Sequence, residues 1–302
     1  MSERDRSKLV VGIATTGRRE ALTDTLRELG RQTRLADEVL LAPACEADVD
    51  ESALVSLPYA TRIVRGPAGL PNQRNTILDQ LGDADAVVFF DDDFYPAPDY
   101  LRHVESLLLA HPSAVGLTGK VLADGKLTRG IPHLEALAIL ANDLAVRRID
   151  EDAVREMYSL YGCNMVLRLQ TVFAHQLRFD TNLPLYGWLE DLDFTRQMAR
   201  YGSILECEAM RGVHLATKAG RTSGVKFGYS QVANPLYLAR KGTMEPRRAL
   251  AQTSRNMARN LQRAVWQPEP WIDRAGRLRG NLLAIGDLVR GEIHPSRIVG
   301  LE

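Results

Sequence analysis

Five apolar residues, Ala86-Val87-Val88-Phe89-Phe90, run directly into three carboxylates, Asp91-Asp92-Asp93. A continuous apolar run with β-branched and aromatic members suits a strand buried on both faces, as in a parallel sheet flanked by helices. Adjacent carboxylates raise one another's pKa unless a cation sits between them. Alternation along an extended chain sends Asp91 and Asp93 to one side and Asp92 to the other. A hard divalent ion held by carboxylate oxygens would relieve the repulsion. The plainer alternative, an acidic loop or cap ahead of Pro96 and Pro98, fits less well with a triplet that ends a buried strand.

The same grammar recurs on either side. Leu9 to Ala14 reads as a buried strand ending in the turn Thr15-Thr16-Gly17, and Leu22, Leu26 and Leu29 then fall at helical spacing. Strands follow at 38–42 and 61–64, a helix at 71–81, a helix at 98–110 and a strand at 114–118. Strands alternating with helices predict a doubly wound, mostly parallel sheet, a Rossmann-like α/β fold. Ligands bind beyond the carboxyl ends of such strands, where both the Thr15-Thr16-Gly17 turn and the aspartate triplet lie. From 120 to 160 the spacing of Leu134, Leu137, Leu140 and Leu144 is helical. Tyr161-Gly162-Cys163-Asn164-Met165 leads a short apolar strand, and 187–201 reads as a helix entered through a turn. Beyond Gly228 the pattern is helical, with breaks expected at Pro235, at Pro246 and over Gln267-Pro268-Glu269-Pro270. The expected division is a catalytic domain at 1–227 and a helical C-terminal extension at 228–302.

The bulk properties narrow the class. The 302 residues, 45% hydrophobic and 25% charged, can bury a core without disulfides. Cys45, Cys163 and Cys207 show no metal-binding spacing. With a polar start and no apolar run near the ~20 residues of a membrane span, they predict a reduced, cytoplasmic protein. Net charge is zero but unevenly placed: residues 211–302 carry 16 Lys+Arg against 6 Asp+Glu, net +10, and residues 1–210 carry 22 against 32, net −10. A basic C-terminal region suits an anionic partner, either a diphosphate or a membrane surface. Nucleic acid is not expected, because no binding motif accompanies the charge. Arg240, Lys241, Arg247, Arg248, Arg255, Arg259 and Arg263 recur often enough to give a basic helical face. That face predicts peripheral, salt-sensitive membrane contact, against the alternative that the helices brace the fold or an oligomer interface.

A second acidic group, Glu190-Asp191-Leu192-Asp193, follows Tyr186-Gly187-Trp188. Acids favour the first turn of a helix through its dipole. A carboxylate beside an aromatic platform also suits a general base for a hydroxyl.

The ordered set of motifs is more specific than any member. The first strand with Thr15-Thr16, then Gly69-Leu70-Pro71-Asn72-Gln73-Arg74-Asn75, Phe89-Phe90-Asp91-Asp92-Asp93, Gly162-Cys163-Asn164-Met165, Gly187-Trp188-Leu189-Glu190-Asp191 and Gly212-Val213-His214 together resemble the family 2 glycosyltransferases of the GT-A fold, over residues 8–220. The resemblance implies an inverting transferase that takes a nucleotide-diphosphate sugar and Mg²⁺ or Mn²⁺, with a saccharide or lipid-linked saccharide as acceptor. Carried over by position, Asp93 and His214 are expected at the metal and Asp191, with Glu190 beside it, at the catalytic base. Thr15, Arg74, Asp91, Asp92, Lys218 and Arg221 are expected on the nucleotide and diphosphate, and Trp188 and Asn164 on the acceptor. Lys218, Arg221 and the glycines around them suit a basic loop closing over the leaving group. Where many members carry an acidic Asp-Asp-Gly-Ser after the second strand, this chain has Leu41-Ala42-Pro43-Ala44, so the resemblance does not specify the base.

Three other readings compete. A phosphatase of the haloacid dehalogenase type has its Asp-x-Asp on the first strand, not behind two strand–helix units. A sugar-nucleotide pyrophosphorylase has a glycine-rich loop where this chain has Thr15-Thr16-Gly17-Arg18-Arg19. A non-catalytic nucleotide-sugar-binding protein of the same fold would not need both acidic groups.

Overall fold

The computed structural model describes residues 6–146, 153–220, 222–266 and 269–301. Two compact units are present. The first comprises Met1–Ala68, Asn72–Arg178 and Met198–Gly220; the second comprises Gly69–Pro71, Phe179–Gln197 and Arg221–Glu302.

The first unit is built on one sheet, nine-stranded among the described residues. Along the chain run β1 (Leu9–Thr15), α1 (Arg19–Leu29), β2 (Glu38–Pro43), α2 (Glu51–Leu54), β3 (Thr61–Ile63), α3 (Leu70–Leu78), β4 (Ala86–Asp91), β5 (Phe94–Pro96), α4 (Tyr100–Ala110), β6 (Ala114–Asp124), α5 (His133–Val146), β7 (Val154–Glu156), β8 (Asn164–Arg168) and α6 (Leu169–Ala174); α7 (Glu190–Met198) precedes β9 (Ser203–His214). The order across the sheet is β3-β2-β1-β4-β8-β6-β9-β5, with β7 added against β9. β3, β2, β1 and β4 are mutually parallel, as are β6 and β9; β8 runs antiparallel between β4 and β6. This is the α/β, mostly parallel sheet expected. The apolar runs of β1 and β4 are buried, Ala14 alone partly exposed, because helices cover both faces, and Leu22, Leu26 and Leu29 of α1 join that core. Gly12 is required where β1 meets α3 and β4: a Cβ there would lie 2.9 Å from Ile77 and Phe89 side-chain atoms.

The short elements α2, β5, β7 and α6 are not anticipated from the sequence, and two longer elements also differ from expectation. β9, twelve residues long, has no counterpart in the sequence reading. Its pairing with β6 shifts register at three places, and such bulges break the period-two pattern by which a strand is recognised. In the second unit α8 (Gly224–Lys241) runs through Pro235 instead of breaking there. Proline in a helix leaves the carbonyl four residues back without its N–H partner. That carbonyl, on Gln231, accepts from the Thr253 hydroxyl at 3.4 Å.

α8 is followed by α9 (Pro246–Val265), whose proline at the first helical position begins it as expected. α10 (Arg274–Arg290) follows; Gln267 and Pro268, where a further break is expected, lie outside the described residues. Tyr229, Val232 and Ala233 of α8 pack with Ala284 of α10 and with Ile293 and Ile298. No helix among the described residues is long and apolar enough to cross a membrane.

Candidate metal and nucleotide centre

The site in the first unit grows from strand ends. β4 stops at Asp91, and β5 begins at Phe94 and pairs antiparallel with β9 so that Phe94 lies opposite His214. The same residue of β9 lies opposite Asp124, the last residue of β6. Three segments distant in sequence thus bring Asp91, Asp93, Asp124 and His214 together. One ligand atom from each of Asp91, Asp93 and His214 lies within 4.8 Å of the others.

Each ligand is held from behind. His214 Nδ1 meets Asp124 Oδ1 at 3.1 Å, which turns Nε2 toward Asp93 Oδ1 (3.5 Å) and Asp91 Oδ2 (3.7 Å). A carboxylate on the far ring nitrogen is the usual way a metal-binding imidazole is oriented. Asp124 Oδ2 in turn accepts from the Tyr161 hydroxyl at 2.7 Å and lies 3.1 Å from Lys126 Nζ. Asp93 is wholly buried. Its Oδ2 accepts from the Thr217 N–H and Oγ1, both at 2.7 Å, with Arg18 Nη1 at 3.4 Å. Its Oδ1 is buried without a hydrogen bond. An ionised oxygen in that state is costly unless a cation reaches it. Together with Asp91, whose side chain remains 27% exposed, and an imidazole nitrogen, it makes a donor set of the N/O type that Mn²⁺ or Mg²⁺ accepts.

The electrostatics favour positive charge at this point. Burial disfavours the imidazolium of His214, but Asp124, Asp93 and Asp91 outweigh burial and lift the imidazole to about 10. Burial would raise the carboxyls of Asp93 and Asp124, yet His214 holds both below the usual carboxylate range, helped by Arg18 and Thr217 at Asp93 and by Tyr161 and Lys126 at Asp124. Burial pushes Asp92 up instead, with the charge of Asp93 adding to it. The carboxylates of Asp91, Asp93 and Asp124 that favour the imidazolium also favour a divalent ion in the proton's place.

The other residues singled out in the sequence divide by role. Asp92 accepts from Thr15 Oγ1 at 2.7 Å and from Arg18 Nη1, which it shares with Asp93, at 2.9 Å. Thr15 and Asp92, both buried, hold one another. Arg74 is also buried, donating to the Gly162 carbonyl at 2.7 Å and lying 3.4 Å from Asp91. Its guanidinium braces a metal-ligand candidate. Asn164, expected on the acceptor, donates from its side chain to the Gly119 carbonyl and accepts from Thr118, within the sheet and with no exposed surface. Lys218 Nζ donates to the Gly125 carbonyl at 3.1 Å. Arg221 lies outside the described residues.

Glu190, Asp191 and Trp188 belong to the second unit. α7 starts at Glu190, after a turn in which Leu185, Gly187 and Leu189 all have positive φ (61°, 59° and 73°). Such strain in a non-glycine residue concentrates at functional sites. Asp191 is half-buried and its Oδ1 accepts from the Leu192 N–H at 2.8 Å. Trp188 is half-buried, its ring 5.7 Å from that of Phe227 and its carbonyl accepting from Asn234 Nδ2. Asp193 is fully buried and bound by Gln197, Lys241 and Thr243, which fastens α7 to the end of α8.

Sequence reasoning missed Arg18, Asp124, Tyr161 and Thr217. Gly17, at φ 64°, donates its N–H to Asp48 and lets Arg18 reach both Asp92 and the Ala219 carbonyl. Asp124-Gly125, an Asp-Gly pair that marks a strand end, was the available signal for Asp124.

No family model and no curated protein matches the chain. Solved structures do. TarS of S. aureus superposes with a TM-score of 0.51 at 18% identity over 77% of this chain, which spans 40% of that one. TarS 1–349 gives 0.56 at 15% identity, covering 96% and 82% of the two chains. A mannosyltransferase, PcManGT from Pyrobaculum calidifontis, in complex with GDP-Man and Mn²⁺, gives 0.55 at 15% identity, covering 97% and 85%. At this identity the likeness is one of fold. The fold is the GT-A glycosyltransferase fold.

Proposed function

We propose that this chain is a metal-dependent, inverting glycosyltransferase, moving a hexosyl group from a nucleotide-diphosphate sugar to an acceptor hydroxyl in polysaccharide or glycoconjugate assembly in the cytoplasm. One observation carries the reading. Asp91, Asp93 and His214 converge at the end of the central strand β4 of a GT-A fold, with Asp93 Oδ1 buried and lacking a hydrogen bond. The mannosyltransferase of the same fold, solved with GDP-Man and Mn²⁺, supports the donor and metal classes. The catalytic domain is assigned to 1–227 and the helical extension to 228–302.

Asp91, Asp93 and His214 would hold Mg²⁺ or Mn²⁺, which when bound neutralises charge on the diphosphate leaving group. Asp124, Arg18 and Thr217 keep those ligands in place. Asp191 takes the proton of the acceptor hydroxyl as its oxygen bonds to the anomeric carbon. The bond from that carbon to the diphosphate oxygen breaks, its electron pair leaving with the nucleoside diphosphate. One displacement inverts the anomeric configuration. Glu190 supports Asp191, Trp188 offers a flat face to a saccharide or lipid-linked saccharide acceptor, and Lys218 and Arg221 attract the diphosphate.

The test is release of nucleoside diphosphate from a panel of nucleotide sugars with Mn²⁺, with Mg²⁺ and with excess EDTA. The reading expects release from at least one donor, abolished by EDTA and by Asp93→Ala. Full turnover in EDTA would overturn it.

A further inference from the structure

α9 carries five arginines and no acid over Pro246–Val265. Ala249 and Asn260 face inward, so the opposite side is the solvent face. At ~100° per residue two stripes lie side by side on it. Arg248, Arg255 and Arg259, all exposed, form one stripe. Leu250, Leu261 and Val265 form the other, 68%, 52% and 61% exposed, and Trp266, 74% exposed, closes the helix. Leu250, Ala251, Ala258 and Val265 leave no carboxylate among these positions. Glu245 pairs with Arg248 at the helix start, 3.3 Å away.

Large apolar side chains in water beside a row of arginines are costly unless something covers both. Nucleic acid would match the arginines and leave the leucines wet. A second copy meeting this face by two-fold symmetry would set the arginine stripe against arginines or against leucines, with no carboxylate on α9 to pair either way. An anionic lipid surface satisfies both stripes, because leucine, valine and tryptophan enter the headgroup boundary while arginines meet lipid phosphates. We infer that the solvent face of α9 is a shallow docking surface for anionic membrane lipid, without insertion of a spanning helix. This inference is independent of the sugar-transfer reading.

The experiment is flotation of the full chain with vesicles of phosphatidylcholine alone or mixed with phosphatidylglycerol, at low and high salt. Binding is expected only with phosphatidylglycerol, falling as salt rises. The triple substitution Arg248→Gln, Arg255→Gln, Arg259→Gln should weaken it by roughly 100-fold. The triple substitution Leu261→Ser, Val265→Ser, Trp266→Ser should also weaken it and remove the tryptophan blue shift that vesicles induce in the parent chain. Circular dichroism and the melting temperature establish that both variants fold. No binding to anionic vesicles at low salt would overturn the proposal. So would binding that neither variant alters, or binding that follows charge alone and equals that to heparin. Light scattering that shows a dimer abolished by the same substitutions would replace the lipid with a second copy.

Discussion

Asp124 shows how much one residue can do without touching a substrate. Its two oxygens meet His214 and Tyr161, and Tyr161 is pushed well above the ordinary phenol range, by burial first and then by Cys163 and Asp124. The phenol therefore stays protonated and donates. With the imidazole held on one side, only Nε2 is left for a metal. Asp124→Asn should lower Mn²⁺ affinity about 10- to 100-fold, read by calorimetry or by Mn²⁺ electron paramagnetic resonance without any turnover. Unchanged affinity would show that His214 is oriented by something else. Asp191→Asn addresses the other end of the reaction. It should retain donor binding and lower the transfer rate by ~10²-fold or more; a near-normal kcat would remove Asp191 from the role. The grouping of Asp91 with Asp93 was legible because like charges crowd together in sequence. Asp124 and Arg18 were not, because their significance arises from strand pairing and a tight turn.

Among elements, legibility followed burial. β1, β2 and β4 are buried at all but one residue each, and their apolar runs gave them away to within a residue or two. β6 extends to Asp124, beyond the expected 118, because its outer half is only partly buried and mixes polar with apolar residues. Helix crossings were invisible for another reason. A Cβ on Gly228 would lie 2.1 Å from the Arg277 carbonyl oxygen, and one on Gly280 2.1 Å from that of Val225, so α8 and α10 meet backbone to backbone. Nothing in the local pattern of either glycine indicates this. Gly228→Val should cost ~1–3 kcal/mol, the range for an overpacked contact, and lower Tm by several degrees in a thermal melt. An unchanged Tm would mean the crossing yields at no cost. Near it Asn260 donates to Gln231 and Asn281 and accepts from Arg274, a buried network with Arg274 also on Glu269. Asn260→Leu would remove the bonds those buried partners make to Asn260 and should destabilise by ~1–3 kcal/mol, checked by chemical denaturation.

Over the whole molecule, fold and chemistry follow from one topological fact. Parallel strands in the order β3-β2-β1-β4 send their carboxyl ends to one edge, and the residues that matter stand there: Thr15 and Arg18 after β1, and the aspartates after β4. The antiparallel return of β8, and β9 against β5, then deliver Arg74's partner carbonyl and His214. The chain's neutrality conceals a division, net −10 to residue 210 and net +10 beyond it, to which the five arginines of α9 contribute. The central claim is that Asp91, Asp93 and His214 form a metal centre for nucleotide-sugar transfer. The most direct measurement is Mn²⁺ titration of the parent chain and of Asp93→Ala, in the presence and absence of a nucleoside diphosphate. The account predicts one ion bound by the parent chain, tighter with the diphosphate present, and binding lost in Asp93→Ala. Equal Mn²⁺ affinity in the two proteins would contradict it.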